Sequence, residues 1–416
     1  MSAKKIKKAK TAPPARRTPP ARRIKPARRT ENIKYAVRDI LLVAEEARAA
    51  GKKMLFLNIG DPIKFDFKTP TFITDSICNA LKSGETSYAP SEGTAGAVEA
   101  IRRDAQKRAI QNIQDVYVTS GGSEAIDLAL TALLDKGDNL LLPCPGYPLY
   151  SAVLAKLEAV ANPYYLDEEN GWQPDVADIR RRINKKTRGL VIINPNNPTG
   201  SVVSLEVARK LVELALEFNL MLFVDEIYDK LVFDGEKHVS LASLSPDVPA
   251  ITFNGLSKVY VGPGLRMGWG VVSGPEQIVG DYYRAIQKLC RARLSAPHAT
   301  MAAIAPALYG NDAHLGPMMA KLLKRRDMTF EMLNSIPGIS CVKPKGAFYA
   351  FPRLKNIKCT DEEWCHDLIK QTGVVTVHGT GFGQKPGTSH FRIVFLPDEK
   401  ILAEAYGHIR KYQKGA

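Results

Sequence analysis

One lysine in the sequence has neighbours that suit chemistry on a carbonyl group. Lys258 ends the small, polar turn that follows the apolar run 251–253, and Arg266 lies eight residues later, flanked by Gly264 and Gly268. A lysine with its ordinary pKa of about 10.4 is protonated, but a nearby cation or exclusion of water favours the neutral amine, which attacks carbonyls. We therefore hypothesise that Lys258 holds an aldehyde cofactor as a Schiff base and that Arg266 holds the phosphate of that cofactor. Taken alone, so short a motif favours an ordinary surface lysine.

The elements that must position these residues follow a strand–helix alternation. Apolar runs predict buried strands, and amphipathic or apolar segments between and around them predict helices. Alternation of this kind indicates a largely parallel sheet with helices on both faces, and ligands of such sheets bind beyond the carboxyl ends of the strands. The conspicuous polar segments begin where the predicted strands end. The predicted strands are 55–59, 116–119, 139–142, 189–193, 220–224 and 251–253, and the predicted helices are 35–50, 95–112, 125–134 and 315–336.

The segment after the strand 116–119 is a candidate anion site. Gly121, Gly122 and Ser123 stand between that strand and the helix predicted to follow it. The free N–H groups and the dipole of a helix start attract phosphate. A plain helix cap would explain the serine equally well, but the two glycines ahead of it favour phosphate.

The charge of the chain is concentrated at its beginning. The 416 residues carry a formal net charge of +15, and residues 1–30 hold twelve of the 58 basic residues and no acidic one, so the remainder is close to neutral. Five prolines and few apolar residues predict that residues 1–33 form a basic, disordered tail. Weak binding of a polyanion through residues 1–30 and a solvated extension without a partner remain equal alternatives. The charges precede no apolar core, so the stretch is not a secretory signal.

The cysteines and the hydropathy of the chain narrow its class further. Six cysteines are scattered without a Cys-x-x-Cys pair, and no histidines stand at metal-ligand spacing, so we expect reduced thiols, no metal site and a cytoplasmic location. No apolar run approaches the 18 or so residues that span a membrane, so we expect no membrane association.

Taken together, the polar motifs resemble those of class I pyridoxal-phosphate aminotransferases of fold type I. The likeness covers residues 35–412 in the order and spacing of the family, and within it the chain is most similar to archaeal alanine aminotransferases. Each motif alone is weak, whereas the ordered series is specific. The motifs are Gly60-Asp61-Pro62, Gly121-Gly122-Ser123-Glu124-Ala125, Pro145-Gly146-Tyr147-Pro148, Asn196-Asn197-Pro198-Thr199-Gly200, Asp225-Glu226-Ile227-Tyr228, Ser257-Lys258, Arg266, Gly346-Ala347-Phe348-Tyr349 and His390-Phe391-Arg392.

The resemblance implies pyridoxal 5'-phosphate as cofactor and Lys258 as the catalytic residue that binds it and shuttles a proton. It implies that Asp225 pairs with the ring nitrogen. The other implied cofactor contacts are Tyr228 and Asn197 to the ring hydroxyl, Tyr147 to the ring face, and Gly121, Gly122, Ser123 and Arg266 around the phosphate. Ser257 is a further implied cofactor-binding residue. In the family a tyrosine matching Tyr88 reaches the phosphate of the neighbouring subunit, which implies a homodimer. Arg392, Gly60 and Asn197 would contact the substrate, the arginine by clamping its α-carboxylate.

The resemblance also implies a fold and a reaction. The expected fold is α/β, with a large domain from 63 to 315 and a smaller α+β domain that combines 34–62 with 316–416. The expected activity is ping-pong transfer of an amino group from an L-amino acid, first of all alanine, to a 2-oxo acid, first of all 2-oxoglutarate. Pro263 and Leu265 depart from the usual family pattern, which leaves the substrate open. An aspartate or broad-specificity aminotransferase, a β-lyase on the same fold, and a cofactor-bearing regulator that binds nucleic acid through its tail are the alternatives.

Overall fold

A computed structural model describes residues 24–33 and 35–415 of the chain. Over these residues the α-helices are α1 Ala36–Ala49, α2 Thr71–Lys82, α3 Ala95–Lys107, α4 Gly122–Leu133, α5 Pro148–Leu157, α6 Val176–Arg182, α7 Leu205–Glu217, α8 Glu276–Ala292, α9 His298–Met301, α10 Ile304–Tyr309, α11 Leu315–Asn334, α12 Asp361–Thr372 and α13 Glu399–Gly415. The strands are β1 Leu55–Phe56, β2 Ile113–Ser120, β3 Asn139–Cys144, β4 Val160–Asp167, β5 Gln173–Pro174, β6 Thr187–Ile193, β7 Met221–Asp225, β8 Ala250–Gly255, β9 Met267–Ser273, β10 Ile339–Ser340, β11 Tyr349–Ala350, β12 Arg353–Leu354, β13 Val374–Val375, β14 Val377–His378 and β15 Ser389–Val394.

The centre of the fold is an eight-stranded sheet in the order β2-β9-β8-β7-β6-β3-β4-β5. The run from β8 to β4 is parallel, as predicted, and α-helices form most of the connections between its strands. Successive side chains along each strand point to opposite faces of the sheet and pack into two separate apolar cores, one on each face. Leu190 and Leu222 belong to one core, whereas their chain neighbours Val191 and Phe223 belong to the other. Apolar residues at consecutive positions of these strands therefore cover both faces of a sheet that is buried on both sides.

An antiparallel strand brings the two ends of the predicted phosphate site together. Strand β9 pairs antiparallel with β2 and with β8, so its first residue, Met267, lies opposite Ser120, the last residue of β2. Arg266 immediately precedes β9, and Gly121 immediately follows β2. The arginine and the glycine segment thus meet at one edge although 145 positions separate them.

Smaller sheets are built from both ends of the described chain. Strand β1 pairs with β13, and β15 lies at the centre of a five-stranded group with β10, β11, β12 and β14. The long helix α11 precedes this second group and packs against α13. These pairings join residues 55–56 to 374–375. The bounds of the two domains, 63–315 against 34–62 with 316–416, stay a prediction.

Some predicted elements differ in length from those observed. The strand expected at 55–59 is only Leu55–Phe56, and the helix expected at 95–112 ends at Lys107, before Ala109 and Asn112 adopt positive φ. The helix expected from 125 begins at Gly122, because Gly121 turns the chain with a φ of +87° and leads directly into the first helical turn.

The tail prediction falls mostly on residues 1–23, which lie outside the described residues. Within 24–33 the prediction of disorder does not hold throughout, because Arg28–Asn32 forms a 3₁₀ turn whose residues are all exposed. This turn packs against α5. Among the helices of the described chain, none combines the length and the apolar character that crossing a membrane requires.

Candidate active site

A cavity of about 690 Å³ lies at the carboxyl ends of the parallel strands, between the large sheet and the smaller ones. Its size suits a small-molecule ligand. Lys258, Asp225 and Arg392 line this one cavity although they lie up to 167 positions apart in the chain. The other predicted site residues that line it are Gly60, Gly122, Ser123, Tyr147, Asn197, Tyr228, Ser257 and Arg266.

The amine of Lys258 is held at the wall of the cavity in an environment that favours its neutral form. Its Nζ donates a hydrogen bond to the carbonyl oxygen of Gly60 at 2.7 Å. Burial lowers the pKa of Lys258 to about 8; the positive charges of Arg392 and Arg266 add to this effect, whereas Asp61 and Asp225 oppose it. At pH 7 about one amine in ten is therefore neutral, compared with fewer than about one in a thousand for an ordinary lysine. The geometry confirms that this is not a surface lysine.

Asp225 ends strand β7 and points a buried carboxyl group at the same cavity. One oxygen accepts the backbone N–H of Ile227 at 3.3 Å, and the other accepts the hydroxyl of Tyr150 at 3.5 Å. Burial raises the pKa of Asp225 to about 6, and the charge of Glu226 adds to the rise. A buried carboxylate with two long hydrogen bonds is well suited to pair with a cationic ligand atom.

The start of α4 forms the expected anion cradle. The first N–H groups of a helix have no partner within the helix, and Gly122 and Ser123, at the start of α4, line the cavity. A side chain at Gly121 would collide with the guanidinium of Arg266, and one at Gly268 would collide with the backbone of Gly122. Glycine at both positions therefore permits the close approach of the two segments.

Arg266 completes this cradle. It adopts a left-handed conformation with φ of +53°, and its guanidinium donates to the carbonyl oxygens of Pro263 at 2.9 Å and Ser120 at 3.2 Å. These two bonds fix the planar fork beside the start of α4. A fork held in this way matches two oxygens of a phosphate group.

Arg392 lies on β15 with its guanidinium buried, which lowers its pKa from the ordinary value. The group is stacked between the rings of Tyr349 and Phe382, whose centroids lie 4.8 Å and 4.6 Å from its central carbon. It donates to the carbonyl oxygen of Asn58 and, at 3.3 Å, to Oδ1 of Asn197. Arg392 is therefore not a surface residue. A buried guanidinium with remaining N–H groups is a site for a carboxylate.

Two tyrosines that the sequence analysis did not single out as site residues, Tyr349 and Tyr35, support two that it did. Tyr349 shares a hydrogen bond of 2.8 Å with Tyr228, and Tyr35 donates to Tyr147 at 2.9 Å. Burial raises the pKa of Tyr228 and of Tyr147 well above the ordinary value, so both phenols stay protonated. Tyr35 stands just before α1, and no motif around it could have indicated its role. Tyr349 does belong to a motif of the family, Gly346-Ala347-Phe348-Tyr349, but the sequence analysis assigned no function to that motif.

Two predicted residues do not line the cavity. Gly121 lies behind it, where it packs against Arg266, so its contribution is conformational rather than a direct contact. Tyr88 is 80% exposed and does not line the cavity of its own chain. Its predicted contact with the phosphate of a neighbouring subunit stays a prediction.

The lining fits the parts of pyridoxal phosphate. The start of α4 with Arg266 suits the phosphate, the buried acid of Asp225 suits a protonated ring nitrogen, and Tyr228 with Asn197 offers polar groups for the ring hydroxyl. The neutral fraction of Lys258 suits the aldehyde. Each part of the cofactor is thus matched by a different chemical group of the cavity lining.

Comparison with known proteins agrees with this geometry. The sequence model of the family "Aminotransferase class I and II" matches residues 52–409. The glutamate-pyruvate aminotransferase AlaA of Escherichia coli is 40% identical over 375 residues, which cover 88% of this chain and 92% of that protein. An alanine aminotransferase of Mycobacterium tuberculosis is 40% identical over 87% of this chain and 86% of its own length.

Solved structures extend the same result to the fold. The alanine aminotransferase of Pyrococcus furiosus superposes with a TM-score of 0.91 at 39% identity and covers 94% of this chain and 100% of its own. An aspartate aminotransferase of Thermus thermophilus superposes with a TM-score of 0.85 at 28% identity over 94% of this chain and 100% of its own. With the predicted fold and cavity in place, the chain therefore belongs to the class I and II aminotransferases, the pyridoxal-phosphate-dependent enzymes that its motifs resemble.

Proposed function

We propose that this aminotransferase moves the amino group of L-alanine to 2-oxoglutarate, with pyruvate and L-glutamate as products. Relatives that are 40% identical carry the names glutamate-pyruvate aminotransferase and alanine aminotransferase. The observation that carries the proposal is the presence of Lys258 and Arg392 in one cavity, which gives a basic amine beside a carboxylate-binding fork. An α-amino acid presents the α-hydrogen and the carboxylate that these two groups need.

Each residue has a defined task in this reaction. When bound, pyridoxal phosphate supplies the aldehyde carbon that accepts the amino group and a ring that takes up electrons from the α-carbon. Arg392 orients the substrate carboxylate with paired hydrogen bonds. Lys258 Nζ removes the proton from the α-carbon of the substrate and delivers a proton to the former aldehyde carbon of the cofactor. A pKa of about 8 allows the amine both to accept and to release this proton near neutral pH. Asp225 keeps the ring nitrogen protonated, and Arg266 with the start of α4 anchors the phosphate.

The second substrate has a distal carboxylate, and the outer wall of the cavity offers charge for it. Arg38 and Lys64 line the cavity and are exposed to solvent. Among the described residues, neither forms an ion pair within 4.0 Å. Their charges support 2-oxoglutarate, which has a second carboxylate, over an oxo acid with a single carboxylate as the amino acceptor. Alanine needs no such contact, so one cavity serves both half-reactions.

The test is a product assay with purified holoenzyme. Alanine and 2-oxoglutarate together are expected to yield pyruvate and glutamate in equal amounts, with little pyruvate when the acceptor is left out. Aspartate and other donors are offered in parallel, and a higher kcat/KM for aspartate than for alanine would overturn the substrate assignment. Pyruvate and ammonia formed without an acceptor from an amino acid with a leaving group on its β-carbon, such as serine or cysteine, would indicate a β-lyase instead.

We further propose a homodimer in which Tyr88 reaches the cofactor phosphate of the neighbouring subunit. The 80% exposure of this aromatic side chain supports the proposal, because it leaves the ring free to reach a second subunit. Mixing Lys258→Ala chains with Tyr88→Phe chains provides the test. Hybrid dimers hold one active site with both changes and one with neither, so activity should recover above that of either variant alone. A monomer by light scattering would refute the proposal.

For the basic tail we propose weak polyanion binding, and for the enzyme a cytoplasmic location. Twelve basic residues without an acid among residues 1–30 support the first, and six cysteines that are all free support the second. Duplex binding that weakens steeply with salt and disappears when residues 1–27 are deleted is the expected result. Equal binding with and without the tail would refute it.

A further inference from the structure

Behind the carboxyl end of β7 lies a cluster of buried charge that the reaction does not use directly. Glu226 is fully buried and accepts a hydrogen bond from Nη1 of Arg108 at 2.6 Å. The same nitrogen lies 3.7 Å from Asp229, and Nε of the arginine lies 3.1 Å from Asp104. One guanidinium therefore faces three carboxylates.

This arrangement makes Arg108 hard to replace. Within residues 24–33 and 35–415, no other lysine or arginine lies within 4.0 Å of Glu226 or Asp229. Nε2 of His238 lies 3.9 Å from the second oxygen of Glu226, which has no hydrogen-bond partner in that part of the chain. Loss of the arginine would leave a fully buried carboxylate without a cation, which is among the costliest changes in a protein interior.

The cluster is joined to the cavity through the ends of two adjacent strands. Glu226 directly follows Asp225 at the end of β7. Asp229 accepts the side-chain amide of Asn254 at 2.9 Å, and Asn254 both belongs to β8 and lines the cavity. Arg108, which caps α3, thus connects a helix on one side of the sheet to the strand ends that present the acid of the site.

The charge of the cluster acts on that acid. The carboxylate of Glu226 opposes ionisation of Asp225, whose pKa burial has already raised to about 6. The remaining groups that face Asp225 are Lys258, which favours ionisation, and the phenols of Tyr150, Tyr147, Tyr228 and Tyr349. Protonated phenols carry no charge, so Glu226 is the negative neighbour that must be balanced.

We propose that Arg108 is a positioning residue for the cofactor: by neutralising Glu226 and Asp229 it would keep Asp225 ionised and in place to pair with the ring nitrogen of pyridoxal phosphate. The residue touches neither cofactor nor substrate. Its effect passes through two carboxylates and the strand ends that carry them. The proposal depends on the cofactor of the family and not on the choice of alanine as substrate.

The test measures cofactor binding to the apoenzyme rather than turnover. Pyridoxamine phosphate is the probe, because it has no aldehyde and cannot condense with Lys258. Its affinity therefore reports on Asp225 without a contribution from the bond to Lys258. If Arg108→Gln raises the pKa of Asp225 from about 6 to about 7, the ionised fraction falls about fivefold at pH 6 and about twofold at pH 7, and hardly changes at pH 8.5. The dissociation constant of the probe should rise by the same factors.

Two further variants separate charge from packing. Arg103→Gln is the matched control, since this arginine lies on the same helix but pairs with Glu99 at the surface, and its binding curve should follow the unmodified enzyme. Glu226→Gln removes the opposing charge and should strengthen binding of the probe at pH 6. The double variant Arg108→Gln with Glu226→Gln should recover most of the affinity lost by the first change.

The outcomes decide the matter in either direction. Weakening of equal size at pH 6 and pH 8.5, or no weakening at all, would overturn the proposal in favour of a purely structural role for Arg108. If Arg108→Gln does not fold, Glu226→Gln decides alone, and unchanged or weaker binding at pH 6 overturns the proposal. Because the probe assay contains no amino acid, its result is independent of whether alanine is the natural donor.

Discussion

The clearest test of the site is the change Arg392→Gln. Arg392 is 2% exposed and its guanidinium lies between two aromatic rings, so its position does not depend on the substrate. Glutamine keeps one polar N–H₂ group in about the same place but removes both the charge and the fork. The change should therefore weaken recognition of the substrate carboxylate without disturbing the cofactor end of the cavity.

The magnitude follows from the hydrogen bonds of the guanidinium. Of its five N–H groups, two are directed at protein acceptors on Asn58 and Asn197, which leaves enough for a paired contact with one carboxylate. Hydrogen bonds to charged groups contribute about 1.5–3 kcal/mol each, so two contribute about 3–6 kcal/mol. At about 1.4 kcal/mol per factor of ten, kcat/KM for alanine should fall by about a hundredfold or more.

The assay compares alanine with ethylamine, an amine of similar size that has no carboxylate. The variant should lose activity with alanine and keep the low activity with ethylamine within about a factor of two. Arg284→Gln, a surface arginine paired with Asp281, serves as the control and should change neither. Equal losses with both substrates would show that Arg392 maintains the fold or the cofactor site, and an unchanged kcat/KM for alanine would refute the carboxylate clamp.

Three further changes test other parts of the site. Lys258→Ala should abolish turnover while calorimetry still detects inorganic phosphate at the start of α4; near-normal turnover would contradict the mechanism. Asp225→Asn should stabilise the apoenzyme at pH 7 by about 3 kcal/mol. The pKa of this acid is 3.8 in the unfolded chain and about 6 in the folded one, so the unmodified protein loses stability as the pH rises from about 4 to about 6. Denaturant unfolding at pH 7 and pH 4 checks this, since the gain should nearly vanish at pH 4, and a gain of equal size at both would contradict it. Gly60→Ala should lower kcat/KM for alanine about tenfold, because the new methyl group overlaps the hydroxyl of Tyr349, whereas Gly96→Ala meets open space and should be neutral; equal kinetics would contradict the close contact.

The parallel part of the large sheet could be predicted because its strands are buried on both faces and read as short apolar runs. The antiparallel strand β9 could not, since Met267–Ser273 follows the lysine motif without a turn signal that distinguishes a reversal of direction. Apart from β1, the two-residue strands of the smaller sheets escaped prediction for another reason. Two residues are too few for any period to show, and β11, β12 and β14 are strands because they pair with β15.

Most of the site could be predicted because strand ends in a parallel sheet meet at one edge, so polar residues that follow buried runs must come together. Residues whose role depends on a distant partner could not be found in this way. Tyr35 acts through Tyr147, 112 positions away, and Arg108 through Glu226, 118 positions away. A single sequence contains no sign of such pairs, because each residue taken alone is an ordinary tyrosine before a helix or an arginine at a helix end.

The charges of the cavity together specify the kind of ligand it can hold. Burial moves the pKa of Lys258 down and that of Asp225 up, so each of these two charges is lost more readily than on an ordinary lysine or aspartate. Arg266 and Arg392 remain as two fixed cations at separate walls, one at the start of α4 and one between aromatic rings. A ligand that stabilises this set needs two anionic groups and one cationic ring atom placed between them. A sugar phosphate satisfies Arg266 alone and a free amino acid satisfies Arg392 alone, whereas an amino acid bound beside pyridoxal phosphate satisfies Arg266, Arg392 and Asp225 at once.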